Sequence, residues 1–317
     1  MGAVWMDCDS GFDDVVALMV LAHAPEVDLL GISTVVGNAS IDHTTANTLA
    51  AVEFCGLDTP VHRGAAKPLA QEPQTIERLL GAGAMGTLGR RFPAARRAES
   101  DTGAIGALTA TLRAAEPASV TILATGPLTN IAVVLLLHPE LADAIDSVVW
   151  MGGSTTSGNH TTAAEFNAYA DPEAFDGLLR SGVAVRMFGL NLTRQVLLTP
   201  EHEHQLRALG TERAAVVADH VGFYLRMIDP AAPRPMALHD PSAAAYLLWP
   251  ELFDLQPARI DVELSRSVGR GATFCEFRVP RRAAPNALVA VSAVGAQVMA
   301  RVMEKVHSLV TPGRAGQ

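Results

Sequence analysis

The sequence predicts an α/β fold: one doubly wound, mostly parallel sheet with helices on both faces and some antiparallel strands toward the C-terminus. Short β-like runs alternate with helical runs from Ala3 to Leu190, the rhythm of βαβ units that build a parallel sheet. Apolar residues make up 49% and aromatics only 5%, so small and branched aliphatics carry the core, as helices packed on a buried sheet require. No internal repeat or low-complexity linker divides the chain, so residues 1–317 are expected to form a single domain.

Ala3–Cys8 reads as a buried strand. Asp13–Ala24 is apolar nearly all round and is expected as a buried helix. Val27–Val36 and Pro60–Arg63 follow as strands around the helix Ile41–Cys55. Helices Ile105–Ala115, Leu128–Leu137 and Pro172–Arg180 alternate with strands Val120–Ala124, Val148–Met151 and Ala184–Leu190. Thr199–Asp229 reads as mostly helical and Pro241–Leu248 as a further helix. Arg259–Leu264, Thr273–Val279 and Asn286–Val291 are strand-like and precede a final helix, Ala293–His307. Gly81–Arg97, with Arg90-Arg91 and Arg96-Arg97, reads as a solvated loop. Asp229–Pro235, with three prolines, reads as a link between helices near the site.

Several function classes are disfavoured by composition. A formal net charge of −9 argues against a polyanionic partner such as nucleic acid. The apolar runs are too short or too interrupted to span a bilayer, and the N-terminus has no signal-peptide pattern. Three cysteines, Cys8, Cys55 and Cys275, form no disulfide framework and fit a reducing cytoplasm.

The densest chemical signal is Asp7-Cys8-Asp9-Ser10-Gly11-Phe12-Asp13-Asp14. It falls where a strand ends and a helix begins, the usual address of ligands in such sheets. Asp7 and Asp9 are expected on one face of the strand, Gly11 in a tight turn, and Asp13 and Asp14 at the helix N-terminus. One aspartate there is an ordinary cap. Four together repel one another without a counter-ion, and oxygen ligands select a hard cation such as calcium or magnesium. His239-Asp240-Pro241 adds a distant acid at another helix start. Met151-Gly152-Gly153, Asn159 and Glu165-Phe166-Asn167 place amides and a carboxylate in a loop after a strand, which suits a hydroxyl-rich ligand.

Together these segments resemble the inosine–uridine-preferring nucleoside hydrolase family. Asp7–Asp14 matches its DxDxGxDD signature, and Thr34-Val35-Val36-Gly37-Asn38 its TTVxGN segment. Ala124–Asn130 matches TGPLTN; Met151–Asn167 matches MGG…N…EFN; His239-Asp240-Pro241 matches the C-terminal HDP. The matches occur in family order across nearly the whole chain. The resemblance implies hydrolysis of ribonucleosides to ribose and free base, one calcium ion, and a homodimer or homotetramer. It implies calcium ligands Asp9, Asp14, Asp240 and the carbonyl of Thr125, with Asp9 also the base that deprotonates water. It implies that Asp13, Asn38, Asn167 and Asp240 hold the ribose 2′- and 3′-hydroxyls, Asn159 and Glu165 the 5′-hydroxyl, and Met151 the ribose floor. Asp7 would support the loop, and His239 would assist the leaving base.

The chain departs from the family in Leu79-Leu80-Gly81-Ala82-Gly83-Ala84-Met85-Gly86: Leu80 stands where many members carry a histidine. With Phe223, Tyr224 and Met227 expected nearby, the base pocket should be more apolar than usual. Two rival functions are a metal-dependent phosphohydrolase, which shares an acidic strand end, and a ribose- or calcium-binding relative without turnover. The first needs a lysine at a strand-end loop, and Lys67 and Lys305 are the only two lysines.

Overall fold

The computed structural model describes residues 2–278 and 284–311. Strands β1 (Gly2–Cys8), β2 (Val27–Thr34), β3 (Val61–Arg63), β4 (Val120–Ala124), β5 (Ile145–Met151) and β6 (Val185–Phe188) form the parallel part of a nine-stranded sheet. The sheet is completed by β9 (Phe253–Val262), β10 (Thr273–Glu276) and β11 (Ala287–Ala293); a two-stranded ribbon pairs β7 (Leu197–Leu198) with β8 (Met236–Ala237). The order is β10-β9-β11-β6-β5-β4-β1-β2-β3. β11 runs parallel to β6, and β9 and β10 are antiparallel, as expected of the late strands.

The chain leaves β1 toward β2 and β3 on one side and later returns to β4, β5 and β6 on the other. That reversal opens a crevice between the carboxyl ends of β1 and β4, where Asp7 lies opposite Ala124.

The twelve helices of the described residues are short in several cases. α1 (Phe12–Leu21) is buried along its whole length, as its all-round apolar sequence requires, and packs on α11 (Asp240–Leu248) and α12 (Gly295–Val310). Each fully buried Val, Leu or Met in this layer stabilises the fold by about 1.5–3 kcal/mol relative to exposure. The other face carries α4 (Ala104–Ala114), α5 (Thr129–Leu137) and α7 (Pro172–Arg180) over a second core around Trp150 and Phe175. α2 (Ile41–Phe54), α9 (Pro200–Ala208) and α10 (Glu212–Leu225) complete the layers. The one-turn helices α3 (Glu77–Leu80), α6 (Phe166–Ala170) and α8 (Leu190–Thr193) border the crevice.

Several boundaries differ from the sequence reading. β5 starts at Ile145 because Ser147, polar but fully buried, continues the strand. β9 begins at Phe253, upstream of Pro257; that proline is tolerated because β10 pairs only with Arg259–Val262, leaving β9 flanked by β11 alone at Pro257. The reading of Thr273–Val279 as strand holds to Glu276, and its last residue lies outside the described residues. The segment 81–97 is more than solvated loop. Arg90 binds Asp219 and Glu212, Arg96 binds Glu53, and Arg97 donates to the carbonyl of Leu57. Exposed pairs of this kind contribute about 0–1 kcal/mol each, so they fix the path of the loop more than they stabilise the fold.

Candidate active site

β1 ends at Cys8, so Asp9 lies beyond the strand and the alternation that would align it with Asp7 no longer applies. The two acids take separate partners, which corrects the expectation of a shared face. Asp7 is fully buried and accepts from Ser33 Oγ and from Asn130 Nδ2 (2.8 Å). Burial pushes its pKa up to about 7. These bonds tie the end of β1 to Ser33 on β2 and Asn130 on α5.

Asp9 accepts from the backbone N–H of Asn38 (2.6 Å) and from Asn38 Nδ2 (3.2 Å). The same Nδ2 donates to Asp14 (3.2 Å), so one amide links the two carboxylates and leaves its Oδ1 available to a ligand. Gly11 has φ −93°, which any residue adopts; its lack of a side chain matters because a Cβ would lie 3.1 Å from Asn38 Nδ2. This replaces the expected tight-turn role. Gly37 serves the same end, since a Cβ there would overlap the Asp9 carboxylate.

Asp14 caps its own helix through the Gly11 N–H (2.8 Å) and accepts from Thr125 Oγ1 (2.6 Å). One carboxylate oxygen each from Asp13, Asp14 and Asp240 lie within 4.8 Å of one another, all buried. Asp240 opens α11, and the packing of α11 on α1 brings it to the first two acids. Asp9 lies outside this trio, but Asn38 links it to Asp14 and its charge acts on Asp240. Burial raises the pKa of all of them, Asp13 to about 7, Asp14 to about 6, and Asp9 and Asp240 well above the carboxylate range; neighbouring negative charges add to the rise at Asp9, Asp13 and Asp240. Their described hydrogen-bond partners are amides, a hydroxyl and Asp240 itself, with no lysine or arginine among them.

A cavity of about 280 Å³ opens beside the trio. Asp13, Asn38, Thr125 and Asp240 contribute to its wall, whereas Asp9 and Asp14 do not. Asn167 donates from Nδ2 to the carbonyls of Thr125 (2.8 Å) and Met151 (3.0 Å), which leaves its Oδ1 available. Glu165 caps α6 and accepts three backbone N–H groups, from Gly153, Asn167 and Ala168; burial still lifts its pKa to about 7. Asn159 accepts from the Phe166 N–H (3.0 Å) through Oδ1, leaving Nδ2 for the cavity. Met151 also contributes to the wall.

His239 lines the same cavity, half-buried, with Nδ1 2.8 Å from Thr193 Oγ1. Burial, reinforced by the charge of Arg194, pushes its pKa down to about 4, so the ring is neutral at pH 7. Thr193, on α8, was not singled out in the sequence; nothing in its local pattern marks it. Leu80 lines the cavity as expected, together with Met227 and Tyr224, while Phe223 packs behind against Gly81 and Gly86. Ile76, Leu79, Ile228 and Met236 join them unforeseen. Lys67 pairs with Glu72 on the surface and Lys305 lines a separate depression, so neither supplies the lysine a phosphohydrolase of the rival type needs.

A doubly wound sheet with a buried carboxylate cluster at its switch point, beside amides and a further buried acid, is the arrangement of a small-molecule site in an α/β enzyme. The chain belongs to the family described as inosine-uridine preferring nucleoside hydrolase, whose model matches residues 4–300. It is thus an enzyme acting on N-glycosyl bonds. It is 34% identical over 278 residues to the inosine-uridine preferring nucleoside hydrolase of Leishmania major, covering 87% of this chain and 88% of the relative. It is 36% identical over 296 residues to the pyrimidine-specific ribonucleoside hydrolase RihA of Escherichia coli O8 (strain IAI1), covering 91% and 93%. Among solved structures, the purine-preferring ribonucleoside hydrolase from Gardnerella vaginalis superposes with a TM-score of 0.89 at 28% identity, over 97% of this chain and 99% of that one. These relatives carry three different base preferences in their names.

Proposed function

We propose that the protein hydrolyses ribonucleosides to ribose and free base, with one calcium ion held by Asp9, Asp14, Asp240 and the carbonyl of Thr125. The observation that carries this reading is the convergence of Asp13 and Asp14 with Asp240, from distant parts of the sequence, within 4.8 Å. The donor set is all oxygen, buried, and without a basic partner among the described residues, so a hard divalent cation offsets its repulsion. When bound, the ion supplies a positive charge that orients water and sugar hydroxyls and makes a water proton easier to remove.

Asp9 accepts that proton while the water oxygen bonds to C1′ and the bond to the base nitrogen breaks. Positive charge builds on the ribose ring as the bond breaks, and the carboxylates around it stabilise that charge where it develops. Asp13, the free Oδ1 atoms of Asn38 and Asn167, and Asp240 hold the 2′- and 3′-hydroxyls. Asn159 and Glu165 hold the 5′-hydroxyl, and Met151 supports the sugar. The bonding pair leaves with the base. Neutral His239, with Nδ1 paired to Thr193 Oγ1, can donate a hydrogen bond from Nε2 to the departing ring, which takes its proton from water.

Release of reducing sugar from inosine, uridine, cytidine and adenosine tests the reaction. His239→Ala is expected to slow those substrates by about 10²-fold but to change 4-nitrophenyl riboside, whose leaving group needs no assistance, by about threefold or less. Equal losses on both would assign His239 a structural role. Phosphate release from phosphomonoesters, with no ribose from any nucleoside, would support the phosphohydrolase instead. Binding of nucleosides without either product would mark an inactive relative.

The pKa shifts have a consequence for stability. Asp13 and Asp14 bind protons more tightly in the folded chain than unfolded, so between about pH 4 and pH 7 the folded state holds more protons. Stability of the chelator-treated protein should therefore fall as pH rises through that window. Calcium should remove most of the fall, because it stabilises the ionised cluster. Melting curves at pH 5 and pH 8, with and without calcium, measure both effects; a chelator-treated protein more stable at pH 8 would contradict the charged-cluster account.

The free, buried Cys8 and Cys55 support a reducing, cytoplasmic setting. The family resemblance supports assembly as a homodimer or homotetramer. Among the described residues no helix is long and apolar enough to cross a membrane.

A further inference from the structure

The cavity is chemically divided according to the segments that form it. The acids and amides come from the ends of β1, β2, β4 and β5 and from the start of α11. A different set of segments supplies hydrocarbon and thioether: Ile76, Leu79 and Leu80 around α3, Met227 and Ile228 after α10, and Met236 on β8. These segments form one wall. The Phe223 ring lies against Gly81 and Gly86, where an added Cβ on Gly81 would come within 3.2 Å of it. Arg234 N–H bonds to the Leu225 carbonyl (3.1 Å), and Tyr224 donates to the Ala237 carbonyl (2.8 Å).

The wall is also braced from behind. His220 is stacked between Phe12 and Phe92 and its Nδ1 lies 2.9 Å from the carbonyl of Gly86. Gly86 in turn bonds back to Leu80 through its N–H (2.9 Å).

Among the described residues, few polar side chains outside the acid and amide set reach this space. The Tyr224 and Thr125 hydroxyl protons are committed to Ala237 and Asp14. His239 remains, and one ring N–H can satisfy one acceptor. An ordinary nucleobase presents several donors and acceptors on the edge away from the sugar. Buried against this wall, each group left unpaired weakens binding by about tenfold. Hydrocarbon on that edge would instead be buried favourably, and Met227 and Met236 adapt to flat or branched shapes.

We propose that the base subsite selects ribosides whose base carries alkyl groups on its outer edge: N-alkylated purines and C-alkylated pyrimidines, in preference to the unsubstituted nucleosides. The proposal rests on the hydrolase reading for its reaction, but recognition can be measured apart from turnover.

The test compares N6,N6-dimethyladenosine with adenosine, and 5-methyluridine with uridine, using the calcium-loaded wild-type protein. Binding is followed by calorimetry and turnover by ribose release. Dimethyladenosine should bind about tenfold more tightly than adenosine and be favoured to a similar degree in kcat/KM; 5-methyluridine should be favoured about fourfold over uridine. Leu80→Asn, which adds an amide partner, should bring both ratios close to one. Tighter binding of the methylated ligands with no ribose released from any riboside would sustain the proposed selectivity while refuting the hydrolase reading. Adenosine and uridine that bind and react as well as their methylated counterparts would overturn the proposal, whatever the Leu80 variant does.

Discussion

Asp9→Ala should lower kcat by about 10³–10⁴-fold and weaken calcium binding in the same protein. Two losses are expected because the account gives one carboxylate two tasks, holding the ion and taking the water proton. The fold should survive. Asp9 sits in a cluster of like charges that raises its pKa, so removing it relieves repulsion, and Asn38 can turn its amide to water or to Asp14. Asp9→Asn separates the tasks further: it keeps an oxygen for the ion but cannot accept the proton, so its calcium affinity should fall less than its kcat. Rates from ribose release and affinities from calorimetry give both numbers. An Asp9→Ala protein within tenfold of wild-type kcat would place the base elsewhere, with Asp13, which lines the cavity directly, the next carboxylate to test.

Asp240→Asn should weaken calcium binding by about 10²-fold or more and reduce kcat/KM by at least as much, since the proposed function gives Asp240 both the ion and the sugar hydroxyls. The same substitution should raise the melting temperature of the chelator-treated protein by about 2 °C or more. Asp240 is repelled by Asp13, Asp14, Asp9 and Glu165 in a buried site, and the neutral amide removes that repulsion. Opposite signs for stability and function distinguish a functional charge from a structural one. A variant that is both destabilised and unchanged in calcium affinity would show that Asp240 acts as an ordinary helix-start residue.

Much of this site was legible in the sequence because its residues lie in short segments at strand ends. The strand–helix rhythm placed β1 and β4 and the carboxyl-terminal half of β5, and the parallel topology gave their carboxyl ends a common address. The convergence of Asp240 on Asp13 and Asp14 depends on α11 packing against α1, and local patterning cannot show it; the ordered family segments supplied it instead. Close approaches were likewise hidden. Gly11 read as a turn residue and Gly37 only as part of a family segment, yet their value is the space they leave for Asn38 and Asp9. The apolar wall was only half foreseen. Leu80 stood out against the family pattern, whereas Ile76, Ile228 and Met236 lie in segments whose periodicity is too short to read. The early start of β9 at Phe253 was hidden as well, because a proline such as Pro257 is tolerated inside a strand where one flank is unpaired, and that depends on where β10 ends.

Anomalous diffraction from crystals grown with calcium tests the central claim most directly. The account predicts a single strong peak with oxygens of Asp9, Asp14 and Asp240 and the Thr125 carbonyl at about 2.3–2.6 Å. A peak at another site, or calcium-saturated crystals in which these carboxylates contact only one another and Asn38, would contradict it.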